Sequence, residues 1–280
     1  MEILVVDNAS ADGSPEVVRD EFPEARLIQN EENVGFARAV NQAWPHASGR
    51  YWLLLNSDTE VGDGAVDALV AFMDRHPAAG LATARLVNVD GSPQHCAQAV
   101  PSALLTLLET LRLHKLLPGR VRGRLLLGPY FAYDVEQQVG WTWGTALICR
   151  RQAVEETGLL SERFFLYGED VDWCLRMRKA GWQVWFCPTA EVTHRGAGSA
   201  PADQSDAMRR ALIHQRIFEA VACHRSRARM AALHAASALS GGVEWLAARI
   251  RHRSATIPGE TLRFHARAAG RLLVANDRHR

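Results

Sequence analysis

Nowhere in this chain do apolar residues run on for anything near the roughly 20 positions that a bilayer-spanning helix needs. The nearest approach, "SALLTLLETLRLHKLL" from Ser102 to Leu117, is interrupted by Glu109, Arg112 and Lys115 and reads as a buried or interfacial helix. No signal peptide opens the sequence. CxxC pairs are absent, and five cysteines, Cys96, Cys149, Cys174, Cys187 and Cys223, cannot all pair within the chain. A reducing cytoplasm is the expected location, with peripheral attachment to the inner face of the cell membrane as its extension. Net charge is almost nil at +1, so no nucleic-acid partner is implied. Lysine is nearly missing, with only Lys115 and Lys179, whereas Arg209, Arg210, Arg216, Arg225, Arg227, Arg229, Arg249, Arg251 and Arg253 crowd the last third. That asymmetry fits either an anionic membrane surface or a solvated helical face. What is present is ordinary for a globular protein: 48% apolar and 22% charged residues exclude wholesale disorder. At 280 residues there is room for a catalytic domain with a helical appendage.

The stretch "LLLNSDTEV" shows the pattern that organises the first part of the chain. Leu53 to Leu55 follow Tyr51 and Trp52 as a short apolar run, the signature of a strand buried on both faces, and Asn56, Ser57 and Asp58 then break it. The same alternation occurs twice before. Ile3 to Val6 is a strand that drops into Asp7, Asn8, Ala9 and Ser10, after which Ser14 is the expected N-cap and Pro15 the first helical residue. "ARLIQN" is a strand, "EENVG" a loop, and Phe36, Val40 and Trp44 mark a helix starting near Gly35. Three βα units predict an α/β layered fold with a mostly parallel central sheet, and put the three polar loops on one edge of it. Further on, "GLATARLV", "VGWTWGTALICR" and "WQVWFCP" read as strands and "GEDVDWCLRMRKAG" as a helix stopped by Gly181. After about Ala200 only Ala/Arg-rich helical sequence remains, so the expected division is a domain of residues 1–200 and a helical extension of residues 201–280.

Chemistry-bearing residues cluster at the strand ends. Asp58 presents a carboxylate at a strand end two residues after Asn56, the spacing at which alternate side chains of a strand point the same way, and such a carboxylate can hold a hard divalent cation. His194 ends another strand, and with Asp58 would make a mixed O/N site suited to Mn2+ or Mg2+. The loop after it, with Gly196, Gly198 and Ser199, offers backbone N–H groups to phosphate. Glu169 and Asp170 open a helix, where acids complement the helix dipole, and where neighbouring acids and Trp173 can raise a carboxyl enough for general-base work. Asp172 supports the helix start, and Arg176 and Arg178 are expected to pair with these acids.

Taken in order, "VVDNASADGS", "NVGFARAVN", "LLLNSD", "WTWGTALICRR", "ERFFLYGEDVDWCLRMRKAGW" and "VTHRGAGS" resemble the family 2 glycosyltransferases of GT-A fold, particularly their bacterial rhamnosyltransferase-like branch, from Met1 to about Ser199. The resemblance implies metal-dependent, inverting transfer of a sugar, possibly rhamnose, from a nucleotide diphosphate donor to a glycan or lipid-linked acceptor in cell wall or polysaccharide synthesis. Carried onto this chain, it assigns Asp7 to the nucleotide base and Asn33 to the loop beside the nucleotide, with Asn8, Ser10 and Gly35 in the same donor-binding loops. It assigns Asn56 and Asp58 to the metal motif, His194 to the metal or diphosphate, Trp143 and Gly144 to the acceptor side, and Asp170 of the Glu169–Asp170 pair to the base. Two features depart from the pattern. The family's usual first strand, which lies mid-sheet, has no counterpart before Ile3, so the sheet is expected to close up, gape or borrow a strand; Ser161 replaces the usual Asp before Glu169. Two rival readings follow, a truncated nucleotide-sugar-binding remnant and a nucleotidyltransferase. The second would need a basic Gly-rich loop near its N-terminus, and "DNASADGS" has no Lys or Arg.

Overall fold

Residues Ala79–Val87 are buried at every position but Arg85, and they form the strand around which the main sheet is built. The computed structural model describes residues 1–196, 206–250 and 256–277. Its first elements are β1 (Leu4–Asp7), α1 (Ser14–Glu21), β2 (Arg26–Gln29), α2 (Phe36–Ala43), β3 (Tyr51–Leu55), β4 (Thr59–Val61), α3 (Ala65–Arg75) and β5 (Ala79–Val87). There follow β6 (Ala97–Gln98), α4 (Ala103–Thr110), α5 (Gly119–Leu126), β7 (Gln137–Gln138), β8 (Trp141–Thr142), β9 (Ala146–Arg150) and α6 (Arg151–Thr157). The last are α7 (Glu169–Lys179), β10 (Gln183–His194), α8 (Asp206–Ala222), α9 (Arg227–Ile250) and α10 (Thr256–Asp277). Gly198, Ser199, Arg251 and Arg253 lie outside the described residues.

The chain forms two compact units, one of Met1–Gln98 with Tyr133–Gly198, the other of Ala99–Ala132 with Ser199–Arg280. Residues 99–132 group with the C-terminal helices.

In the first unit the expected α/β layering is present, and its sheet is mixed rather than mostly parallel. Strand order is β3-β9-β5-β10-β4, with β7 on β10. β5 and β10 pair in parallel, while β9 runs antiparallel to both β3 and β5. The reason is connectivity. Residues 88–145 return the chain from β5 by a long excursion through β6, α4, α5, β7 and β8 rather than by one crossover helix, so β9 is free of the parallel constraint that βαβ units impose. Among the described residues β1 and β2 pair only with each other, in parallel. Among the described strands, β1–β2 is thus a sheet of its own, apart from the one that holds β3.

Local signals acted where the residues allowed them. Gly181, with φ of +96°, follows α7 as expected. At α1 the left-handed Gly13 takes the cap position, and Ser14 becomes the first helical residue, its hydroxyl donating to Asp12 Oδ1 at 2.6 Å. The Ser102–Leu117 run is not one helix: Arg112 turns left-handed after α4, and Leu104, Leu111 and Leu116 are exposed. Pro188 explains the shape of β10. It has no N–H for the ladder, and the register against β5 slips between Cys187 and Glu191, after which the strand resumes to His194.

In the second unit α9 packs on α10 and on α4. Gly241 is buried at the first crossing, where an added Cβ would stand 3.1 Å from the Leu262 backbone nitrogen. His234 and His265 share a ring-to-ring hydrogen bond, Nδ1 to Nδ1 at 2.7 Å, with His214 edge-on to His265. Burial drives the His265 ring down to about 3, so this pair is neutral at physiological pH.

Candidate active site

Of the three polar loops expected on one edge of the central sheet, the two that follow β1 and β2 lie on the separate β1–β2 pair, and they meet through side-chain amides. Asn8, just past β1, accepts from the Val34 backbone N–H at 3.0 Å and donates to Asn33 Oδ1 at 2.9 Å. Asn33 Oδ1 also accepts from Gly35 N, and Asn30 reaches both Asn8 and Gln42. Asp7 is buried and accepts from the Ser10 N–H at 3.3 Å. Asp7, Asn8, Ser10, Asn33 and Gly35 therefore form one contiguous cradle. Gly35 could be no other residue: its φ is +86°, and a Cβ would fall 2.8 Å from the Phe165 carbonyl oxygen. That approach, with Phe36 N–H donating to the same carbonyl at 2.9 Å, ties the cradle to the loop that leads into α7.

Asp170 stands in the first turn of α7 with only 5% of its surface exposed. Its Oδ2 accepts from the Gly144 N–H at 3.1 Å and its Oδ1 from Val171 N at 2.8 Å. Desolvation nevertheless pushes its carboxyl up to about 6, because burial penalises the charged form more than those two N–H groups favour it. Gly144 lies between Asp170 and the Phe36 ring, and the next residue, Thr145, accepts from Asn56 N–H at 3.0 Å. The end of β3 thus adjoins the Trp143–Gly144 segment. Trp143 packs edge-on to Trp141 at 4.7 Å and donates from Nε1 to the His95 carbonyl. Glu169 is buried beside Asp170. Asp172 accepts from Arg176 Nε at 2.8 Å, as expected, whereas Arg178 donates to the Val139 carbonyl rather than to an acid.

The β10 bulge re-aims His194 so that it pairs across the ladder with Thr59, and its Nε2 lies 3.4 Å from Asp58 Oδ1. A residue that sequence reasoning passed over fixes the ring. Gln94 donates its amide N–H groups to the His194 carbonyl and to Asn88 Oδ1, both at 2.8 Å, so its own Oε1 must face His194 Nδ1, again at 2.8 Å. With Nδ1 so held, Nε2 is the nitrogen turned to the Asp58 carboxylate, and a ligating imidazole is ordinarily held by such a second partner on its other nitrogen. Asp58 and His194 together fit a divalent cation, as a pair; no group of three or more His, Cys, Asp or Glu is arranged for a metal among the described residues.

Residues 1–116 match the model of glycosyl transferase family 2. An N-acetylglucosaminyl-diphospho-decaprenol L-rhamnosyltransferase of Mycobacterium tuberculosis (strain H37Rv) is 32% identical over 229 residues, covering 72% of this chain and 69% of that protein. The chain belongs to glycosyl transferase family 2. An O-antigen biosynthesis protein RfbC of Myxococcus xanthus matches this glycosyltransferase at 28% identity over 72% of its length and 15% of the larger protein's. Among solved structures, a mannosyltransferase of Pyrobaculum calidifontis in complex with GDP-Man and Mn2+ aligns with a TM-score of 0.54 at 18% identity, covering 99% of this chain and 70% of the other. That likeness is one of fold, and it is the GT-A fold that the six motifs imply.

Proposed function

We propose that this glycosyltransferase moves a sugar, rhamnose by likeness to the mycobacterial relative, from a nucleotide diphosphate to a lipid-linked acceptor, with inversion at the anomeric carbon. The observation that carries the reading is Asp170, a buried carboxyl held near 6 beside Gly144 and the amide cradle. An acid so poised is ionised at neutral pH and still basic enough to take a proton from a hydroxyl as that oxygen attacks. In the step proposed, the acceptor O–H proton passes to Asp170 and the oxygen bonds to the anomeric carbon. The bond from that carbon to phosphate breaks, and its electron pair leaves on the nucleoside diphosphate. Asp7, Asn8, Ser10, Asn33 and Gly35 hold the nucleotide, Asn56 supports the strand end, and Trp143 and Gly144 border the acceptor. Asp58 and His194 would hold a divalent cation, Mn2+ or Mg2+, which supplies charge stabilisation to the departing diphosphate. Gln94 keeps His194 in the tautomer that can ligate. A lipid-linked acceptor brings the reaction to a membrane surface, and peripheral attachment is part of this reading.

The test is transfer from a nucleoside-diphospho-rhamnose to a polyprenyl-diphospho-GlcNAc acceptor, with the anomeric configuration of the product read by NMR. Expected results are an inverted linkage, and nucleoside-diphosphate binding that weakens tenfold or more with chelator or with Asp58→Asn. Equal affinity with and without metal removes the cation from the mechanism; a retained configuration removes Asp170 as base.

A further inference from the structure

α9 has two faces of different character. Its inner face, with Met230, Leu233, His234, Ser237 and Gly241, is buried. Its outer face carries Ala232, Ala235, Leu239, Val243, Leu246 and Ile250, spaced by three or four residues, so all six fall within an arc of about 80° over roughly 27 Å of helix. The four large ones are 48% to 69% exposed. No charged residue falls within that arc. Arg227 and Arg249 flank one side and Arg229 the other, while Glu244 points away; the Arg249 guanidinium sits 4.9 Å over the Trp245 ring, an aromatic–cation pair of the kind favoured where apolar and wet surfaces meet.

The surrounding charge selects the occupant. Residues 99–132 and 199–280 hold 19 arginines and lysines against 7 aspartates and glutamates, a net charge of about +12 within a chain that sums to +1. A second copy would bring the same +12 against itself. An anionic lipid surface would not, and its acyl boundary accepts an apolar strip between basic flanks. No described helix is long and apolar enough to cross a membrane, so α9 would lie in the interface plane. From this placement we infer that the outer face of α9 is a docking surface for an anionic bilayer, the Leu239–Val243–Leu246–Ile250 strip entering the headgroup boundary and the flanking arginines meeting lipid phosphate. This gives the membrane attachment of the proposed function a specific face, and rests on that reading only for its purpose.

The experiment is sedimentation of the full chain with vesicles of phosphatidylcholine alone or mixed with phosphatidylglycerol, at low and high salt. Binding to the anionic vesicles is expected, at least tenfold weaker on neutral ones or in high salt. The double variant Leu246→Glu with Ile250→Glu, checked for helix content by circular dichroism, should lose at least tenfold in affinity, because two apolar contacts are replaced by charges that anionic lipid repels. Val89→Glu, which charges a 73% exposed residue of the other unit, should bind as the parent does. Equal sedimentation of parent and double variant overturns the inference. So does a dimer seen by light scattering that the double variant dissociates, since the strip would then belong to a second copy. Nucleoside-diphosphate binding, followed in the same preparations, separates the two claims: its loss with vesicle binding intact sinks the catalytic reading alone, and the reverse result sinks the docking surface alone.

Discussion

At Asp170 one physical cause has two opposite consequences. Burial lifts the carboxyl to about 6, so transfer should rise along a one-proton limb near pH 6 and level off above it. Asp170→Asn keeps the size and loses the base; turnover should fall by about two orders of magnitude or more while nucleoside-diphosphate affinity holds. A surviving limb in that variant would move the role to Glu169. For stability the sign reverses. A carboxyl raised above its unfolded value favours the folded state below about pH 4, and that contribution is lost as pH climbs through 6. Asp170→Asn should therefore melt higher than the parent at pH 8 and no higher at pH 4, by calorimetry. The sequence made these side chains legible because each sits where an apolar run stops: Asp7 and His194 end strands, Asp58 lies in the turn after β3, and Asp170 opens a helix. Gln94 was not legible. Its hydrogen bonds span 100 residues to His194, and nothing in its own surroundings, a turn after "DGSP", marks an amide that fixes an imidazole.

Elements were legible where a local rule decided them and obscure where a neighbour did. The three βα units, the glycine after α7 and the helical last third follow from periodicity and caps. The mixed sheet does not, because the direction of β9 depends on the path of residues 88–145, which has weak periodicity. Nor does the continuity of β10: Pro188 looks like a strand end, and only the slip against β5 lets the strand continue to His194. Arg150 is another feature that only packing reveals. At the end of β9 it donates to the carbonyls of Met73, His76 and Ala79, joining the C-terminal end of α3 to the start of β5, with its guanidinium 5.3 Å from the Tyr51 ring centroid. Arg150→Met keeps much of the stem and removes every donor. It should lower unfolding free energy by about 2 kcal/mol in urea titration, with nucleotide affinity changed far less, since the three carbonyls lose a partner that water replaces imperfectly.

Across the whole molecule, charge and sheet connectivity divide the labour in ways no single motif announces. The basic residues gather in the helical unit, leaving the other unit acidic. In the function proposed above, a diphosphate there would be held by amides, backbone N–H groups and a cation on Asp58 and His194, a role in keeping with motif residues that are asparagines, glycines and a serine rather than lysines. The separation of β1–β2 from the larger sheet adds a time axis to this arrangement. β5 has a hydrogen-bonded strand on each side, whereas among the described residues β1 and β2 have only each other, so opening the small pair breaks one ladder and opening β5 breaks two. Amide protons of β5 should consequently exchange with deuterium slowest, and those of Leu4–Asp7 and Arg26–Gln29 faster by about tenfold or more. The cradle at Asn8 and Asn33 rides on those fast-opening strands. A nucleotide that closes it should slow exchange there and leave β5 untouched, so the sugar donor would itself finish the ordering of the surface it binds.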